Sequence, residues 1–102
     1  YNSPYAEHLL GMVDELLRNY DMDGFFFDCI MPYPCVGVEC VEEMKRIGLD
    51  PGSGNDLYQF AKTSAIRFCR RLSDKIPMPT SRSFALILNM RLWDVPSMKV
   101  CL

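Results

Sequence analysis

Apolar residues Leu9, Val13, Leu16, Leu17 and Tyr20 recur at helical spacing and form one stripe, while Glu7, Asp14, Glu15 and Arg18 fall mostly off it. The pattern predicts a helix over 3–20. Ser3 is its N-cap, Pro4 takes the first helical position, and Glu7 sits near the positive end of the helix dipole. A stripe of this kind needs a surface to cover, so the helix is expected to dock on a sheet. Residues 19–24 then close the helix and turn the chain. Phe25, Phe26 and Phe27 make a short continuous apolar run, which predicts a strand buried on both faces. The two-residue period places Gly24, Phe26 and Asp28 on one face, with Phe25 and Phe27 on the other. The Phe25/Phe27 face is expected under helices, and the Asp28 face toward a barrel interior.

Residues 29–37 hold Cys, Pro, Tyr, Pro, Cys and Gly without a period, and read as a long loop after the strand. A short helix is expected over 38–47, with Gly48 as its stop, and a second loop over 50–54. Asn55 is the expected cap of a long helix reaching to about Lys75, with Leu57, Phe60, Ala61, Phe68 and Leu72 facing inward. Pro77 and Pro79 end that helix. A second bare apolar run, 84–89, ends in Asn89 and reads as a strand. A crossover of this length between strands implies a parallel pair and a right-handed connection. The expected order is therefore αβααβ, an α/β segment of a (β/α)8 TIM barrel with parallel strands near 24–28 and 84–89. Two strands cannot close a barrel, so 1–102 is expected to be one partial barrel domain. The chain starts at Tyr1 with an amphipathic pattern almost at once, and 98–102 carry no stop signal, so it reads as a piece of something longer.

Composition narrows the classes. At 102 residues the chain is at most one small domain, and its net charge of −2 is slight. No basic patch and no basic-aromatic interleaving argue against nucleic acid as a partner. No apolar run approaches the ~20 residues needed to cross a bilayer; the longest, 84–88, has strand length. The five cysteines, Cys29, Cys35, Cys40, Cys69 and Cys101, are odd in number and irregular in spacing, unlike a secreted disulfide framework. Cytoplasm is the default expectation, no cofactor is expected, and oligomeric state is not legible.

Asp28 is the leading candidate for chemistry. A carboxylate after three Phe residues and before a long loop has an apolar floor and an open ceiling, so its surroundings can set its pKa and role. Ionised beside a sugar's anomeric carbon, it would attack or stabilise an oxocarbenium-like transition state. The competing reading is an Asp that starts the loop by accepting backbone hydrogen bonds. Asp23, at the other end of the strand, reads as the cap of the turn before Gly24.

The stretch Glu15-Leu16-Leu17-Arg18-Asn19-Tyr20-Asp21-Met22-Asp23-Gly24-Phe25-Phe26-Phe27-Asp28 resembles the helix-to-strand passage of the hypothetical glycosyl hydrolase 6 family. It is similar, more distantly, to the family 29 α-L-fucosidases, in which a helix ending in Leu-x-x-x-Tyr leads to a strand whose last Asp is the nucleophile of a retaining mechanism. The matching residue is Asp28. The next strand in that family often ends in Asn followed by Arg and an aromatic, and Asn89, Arg91 and Trp93 are similar with altered spacing. The resemblance covers roughly 3–90 and is strongest over 13–48. It implies a hydrolase of carbohydrate metabolism, a carbohydrate partner, and Asn89, Arg91 and Trp93 as substrate contacts. Cys35-Val36-Gly37-Val38-Glu39-Cys40, followed by Met44, is similar to a Cys-x-Cys-x-x-Cys segment in the same family, a spacing also found in the zinc cluster of family 42 β-galactosidases. Gly37 stands where the middle cysteine would be, so the tetrahedral set is one ligand short. Cys35 and Cys40 remain weak metal candidates beside the simpler reading of two free thiols.

The other residues sort themselves by position. His8 is the sole histidine, far in sequence from Asp28, so triad chemistry finds no support. Cys69, Phe60, Phe68 and Tyr58 read as core. Tyr33 and Trp93 follow strand ends and are candidates to stack on a sugar ring, with packing as the alternative. The Gly52-Ser53-Gly54 turn has no strand before it and is no phosphate cradle. One of Glu39, Glu42 and Glu43 on the short helix could reach as a second carboxyl, but a solvated helix face is the better reading of them. The acid/base is therefore expected outside this chain, which alone should be inert. Two other readings stay open: a non-catalytic carbohydrate-binding or assembly module of barrel origin, and a family 42-like β-galactosidase, where the strand would be expected to end in Asn-Glu.

Overall fold

The computed structural model describes residues 1–22, 24–76 and 85–90, with 29 and 85–90 by their backbone. The elements run α1 (Tyr5–Asn19), β1 (Gly24–Ile30), α2 (Val38–Arg46), α3 (Gly54–Lys75) and β2 (Ala85–Met90), in the αβααβ order expected. β1 and β2 pair in parallel as a two-stranded sheet, which makes this a mixed α/β chain. No helix among the described residues is long and apolar enough to cross a membrane.

α1 buries Ala6, Leu10 and Val13, with Leu9 and Leu17 partly covered. The stripe is thus centred one step away from its expected line. At about 100° per residue, Leu16 falls at the edge of the face set by Ala6, Leu10 and Val13, and is exposed. Tyr20 is also exposed, because the backbone leaves the helix there with φ −131° and ψ 137°. Nor does Ser3 cap with its side chain: its carbonyl accepts from Ala6 N–H at 3.0 Å, and Pro4 already has helical angles.

α2 ends as expected at Gly48, whose φ of +83° is open to glycine and strained for other residues. Leu49 N–H reaches back to the Met44 carbonyl at 2.8 Å and Gly48 N–H to Lys45 at 3.2 Å, so the last turn's carbonyls are satisfied. α3 begins earlier than expected. Ser53, in extended conformation, is its N-cap and accepts from Asp56 N–H at 3.3 Å; Asn55 lies inside the first turn. Asp56 in turn accepts from Asp50 N–H at 2.9 Å, and Asp50 Oδ1 accepts from Gly52 N–H at 2.8 Å, so the loop is locked before the helix begins.

α3 is the strut that joins two cores. Its first half packs Phe60 against Cys40 and Met44 of α2, with Leu49 and Leu57 at the margin. Its second half packs Ala65, Phe68, Cys69 and Leu72 against Ala6, Leu10 and Val13 of α1 and Ile30 of β1, with Phe25 and Phe27 lying over the same cluster. Each fully buried Leu contributes about 1.5–3 kcal/mol, so Leu10 and Leu72 outweigh the ion pairs above them. Those pairs, Arg71 with Glu7 and Lys75 with Asp14, are partly exposed and worth about 1 kcal/mol at most, but they hold α1 and α3 in one register.

Expected and observed strands differ in one respect that shapes the site. β1 does not stop at Asp28 but continues to Ile30, and Cys29 belongs to it rather than to the loop. β2 likewise runs one residue past Asn89, to Met90. Pro77, Pro79 and Phe84 lie outside the described residues.

Replacing Ser53 by Ala should lower stability by about 1 kcal/mol in urea unfolding, by loss of the cap bond. Asn55→Ala should stay within about 0.5 kcal/mol, since that exposed side chain caps nothing.

Candidate functional site

The sheet is in register from Gly24↔Ala85 through Phe27↔Leu88, and resumes at Ile30↔Met90. β1 thus takes three steps where β2 takes two, so Asp28 and Cys29 together stand opposite Asn89. That is a β-bulge, which locally bends a strand and re-aims its side chains. In a regular strand Phe26, Asp28 and Ile30 would share one face. The extra residue reverses the alternation, so Ile30 is buried in the cluster that also receives Phe25 and Phe27. Phe26, at 62 % exposure, and Asp28 stay on the uncovered side. The expected face assignment of Gly24, Phe26 and Asp28 therefore holds up to the bulge, and the bulge corrects it beyond. Asp28 is a carboxylate at a kink, level with Asn89, two residues before the strand's end.

The loop that follows is anchored at its root. The Tyr1 hydroxyl donates to the Met31 carbonyl at 2.9 Å and accepts from Met31 N–H at 3.1 Å. Its ring stacks on Phe68 with centroids 5.2 Å apart, and burial pushes the Tyr1 phenol above its ordinary range. Beyond the buried Pro32 the loop opens to solvent: Tyr33 is 68 % exposed, with its hydroxyl donating to Met31 Sδ at 3.2 Å. The Asn89 side chain is not described, and Arg91 and Trp93 lie outside the described residues.

The glutamates of α2 gather elsewhere. Glu39 and Glu43 line a cleft of about 360 Å³ with Asn2, Glu7, Arg67 and Arg71, and Asp28 is not on its walls. Several of these groups hold hydrogen-bond partners. Arg71 donates to Glu7, Arg67 donates to Asn2 Oδ1 at 2.7 Å, and Arg46 makes two hydrogen bonds to Glu43, which hold the Glu43 carboxyl below its usual range. Glu42 is exposed on the same helix. None of these geometries gives Asp28 a partner carboxyl.

Asn2 is a hub that the hydrophobic pattern does not reveal. Its amide donates to Ser64 Oγ at 2.9 Å and to Cys40 Sγ at 3.6 Å, while its carbonyl oxygen accepts from Arg67. It thereby joins α2, α3 and the chain start, and it satisfies Ser64, the one buried polar side chain among the described residues. Nothing in the local sequence marks this role, because all its partners are 38 or more residues away.

Cys35 and Cys40 come together. Cys35 is exposed and its sulfur accepts from Gly37 N–H at 3.4 Å; Cys40 is buried in the first turn of the helix that Gly37 caps, and its sulfur accepts from the Asn2 amide. The Gly37 N–H and the Cys40 thiol lower the Cys35 pKa, whereas burial raises that of Cys40. Cys69, sealed in the core, is pushed up to about 11 by burial, as a small hydrophobe would be. No group of three or more His, Cys, Asp or Glu is placed to hold a metal among the described residues, so Cys35 and Cys40 remain two ligands of the four a structural zinc takes.

No family model matches this chain, and neither a curated protein nor a solved structure matches it.

The thiol environments predict an order of reaction. Near neutral pH, Cys35 holds the larger thiolate fraction and should be alkylated by iodoacetamide before Cys40, with Cys69 last. Mass mapping of a time course reads that order. Labelling of Cys69 ahead of Cys35 would contradict it.

Proposed function

We propose that these residues form part of a retaining glycoside hydrolase of (β/α)8 barrel architecture, α-L-fucosidase-like in substrate class, with Asp28 as its nucleophile. The observation that supports this most is Asp28 itself: an exposed carboxylate at a bulge near the C-terminal end of a strand in a parallel pair. Barrel enzymes carry their reacting groups at that end of their strands, and bulges are common beside active sites. The resemblance of 15–28 to the helix-to-strand passage of such hydrolases supports the same residue.

In this reading the Asp28 carboxylate attacks the anomeric carbon as the bond to the leaving-group oxygen breaks. The resulting glycosyl ester is then hydrolysed by water. A second carboxyl about 5 Å away protonates the leaving group and later deprotonates the water. That group, and the strands that would close a barrel, come from outside these residues. Asn89, level with Asp28 in the sheet, would be the residue to meet a sugar hydroxyl near the reacting carbon. Tyr33 supplies a ring for the sugar face, and Arg91 and Trp93 are the further contacts that the resemblance names. Phe26 and Gly24 share the Asp28 side and would line the floor.

The test uses the longer protein carrying this segment, if these residues belong to one. A 2-deoxy-2-fluoroglycoside with a good leaving group should leave a glycosyl ester on Asp28, found by peptide mass mapping. Asp28→Asn should lower turnover by a factor on the order of 10³ or more. Normal turnover by that variant would sink the proposal. Glycan binding that persists in it, with no hydrolysis by the wild type, would point instead to a non-catalytic carbohydrate-binding module.

A further inference from the structure

Cys35 and Cys40 differ in every property that distinguishes the two members of an exchanging thiol pair. Cys35 lies in the loop before α2 and is open to solvent; Cys40 is the third residue of α2 and is 6 % exposed. The chain between them reverses through Gly37, which is extended at φ −63° and ψ 158° and caps the helix. This reversal sets the Cys35 sulfur on the N–H of Gly37, the cap of the helix whose first turn carries Cys40, so residues five apart in sequence become neighbours in space. A Cβ on Gly37 would stand 3.4 Å from Cys35 Sγ, so the sulfur is folded closely over the glycine. Each sulfur also has a donor of its own: Gly37 N–H for Cys35, and the Asn2 amide for Cys40. Donors of this kind stabilise negative charge on a sulfur, both when it attacks and when it leaves.

We propose that Cys35 and Cys40 are a redox-active dithiol that closes reversibly to a disulfide, with Cys35 attacking and Cys40 resolving. The oxidant is a low-molecular-weight disulfide such as oxidised glutathione. The Cys35 thiolate attacks one of its sulfurs, the S–S bond breaks, and one glutathione leaves as thiolate. Cys40 then gives up its proton and attacks the Cys35 sulfur of the mixed disulfide, expelling the second glutathione. Two protein thiols become one disulfide, and one oxidised glutathione becomes two reduced ones. Closure ties the loop that holds Tyr33 to the first turn of α2, so the redox state controls the freedom of the loop that follows Asp28. The inference stands on the thiols alone and does not depend on the hydrolase reading.

The experiment treats the reduced full chain with oxidised glutathione near neutral pH, quenches with acid, and maps the products after cleavage at glutamate. Cleavage after Glu39, combined with cyanogen bromide cleavage after Met31, puts Cys29, Cys35 and Cys40 on three separate peptides, so a link between Cys35 and Cys40 shows as its own joined pair. The wild type should give that link, leave no lasting glutathione on either residue, and return to two thiols with dithiothreitol. Cys40→Ser should trap glutathione on Cys35, and Cys35→Ser should leave Cys40 unmodified. Circular dichroism of both variants checks that they fold, and the wild-type map decides alone if they do not. Glutathione persisting on Cys35 in the wild type, modification of Cys40 first, or a link from either residue to Cys29 would overturn the proposal.

Discussion

Between Phe27↔Leu88 and Ile30↔Met90 the first strand takes one step more than the second, and the side-chain alternation of β1 reverses there. Everything near the candidate site depends on that extra residue. Without it, Ile30 would follow Phe26 and Asp28 onto the open face and leave the α1–α3 core without the strand's last anchor. With it, the same seven-residue strand holds three apolar side chains against the helices and still presents a carboxylate on the opposite side. Burial of Ile30 and exposure of Asp28 together fix the bulge between them, because moving it past either residue would turn that side chain to the other face.

The helices serve that arrangement through α3. One end of it is pinned to α2 through Phe60 and Met44, and the other to α1 and β1 through Phe68 and Leu72. The first two residues of the chain complete the link. Tyr1 stacks on Phe68 and clasps the backbone of Met31, the first residue after β1, while Asn2 ties Cys40, Ser64 and Arg67. The loop after Asp28 is thus rigid at its root and exposed at Tyr33 and Cys35. The thiol pair lies where that loop meets α2, so a disulfide there would act on the exposed loop that follows β1.

Much of this was legible in the sequence. Helical spacing, cap and stop residues, two bare apolar runs and the length of the crossover placed all five elements, their order and the parallel pairing, and the split of Phe25 and Phe27 from Phe26 and Asp28 follows from alternation alone. Gly48 marked the end of α2 because a positive φ there excludes other residues without strain. The misses have physical causes. Ser53 rather than Asn55 caps α3 because a cap is chosen by extended backbone one residue before the helix, and both residues satisfy the same composition rule. The bulge left no mark in Gly-Phe-Phe-Phe-Asp-Cys-Ile except the buried Ile30 two places after a polar residue. The Tyr1 and Asn2 contacts are long-range, and no local pattern encodes them. Whether Asp28 reacts was not legible from pattern; it rests on a resemblance together with the place the sheet gives it.

The reversal of faces in β1 is tested most directly by comparing Phe26→Ala with Ile30→Ala in chemical denaturation. In an unbulged strand these residues share a face and would lose similar stability. With the bulge, Ile30→Ala should cost about 2–5 kcal/mol, as a buried core truncation does. Phe26→Ala, at a side chain 62 % exposed, should cost about 1 kcal/mol or less. Equal losses, or the larger loss at Phe26, would contradict the bulge and with it the placement of Asp28.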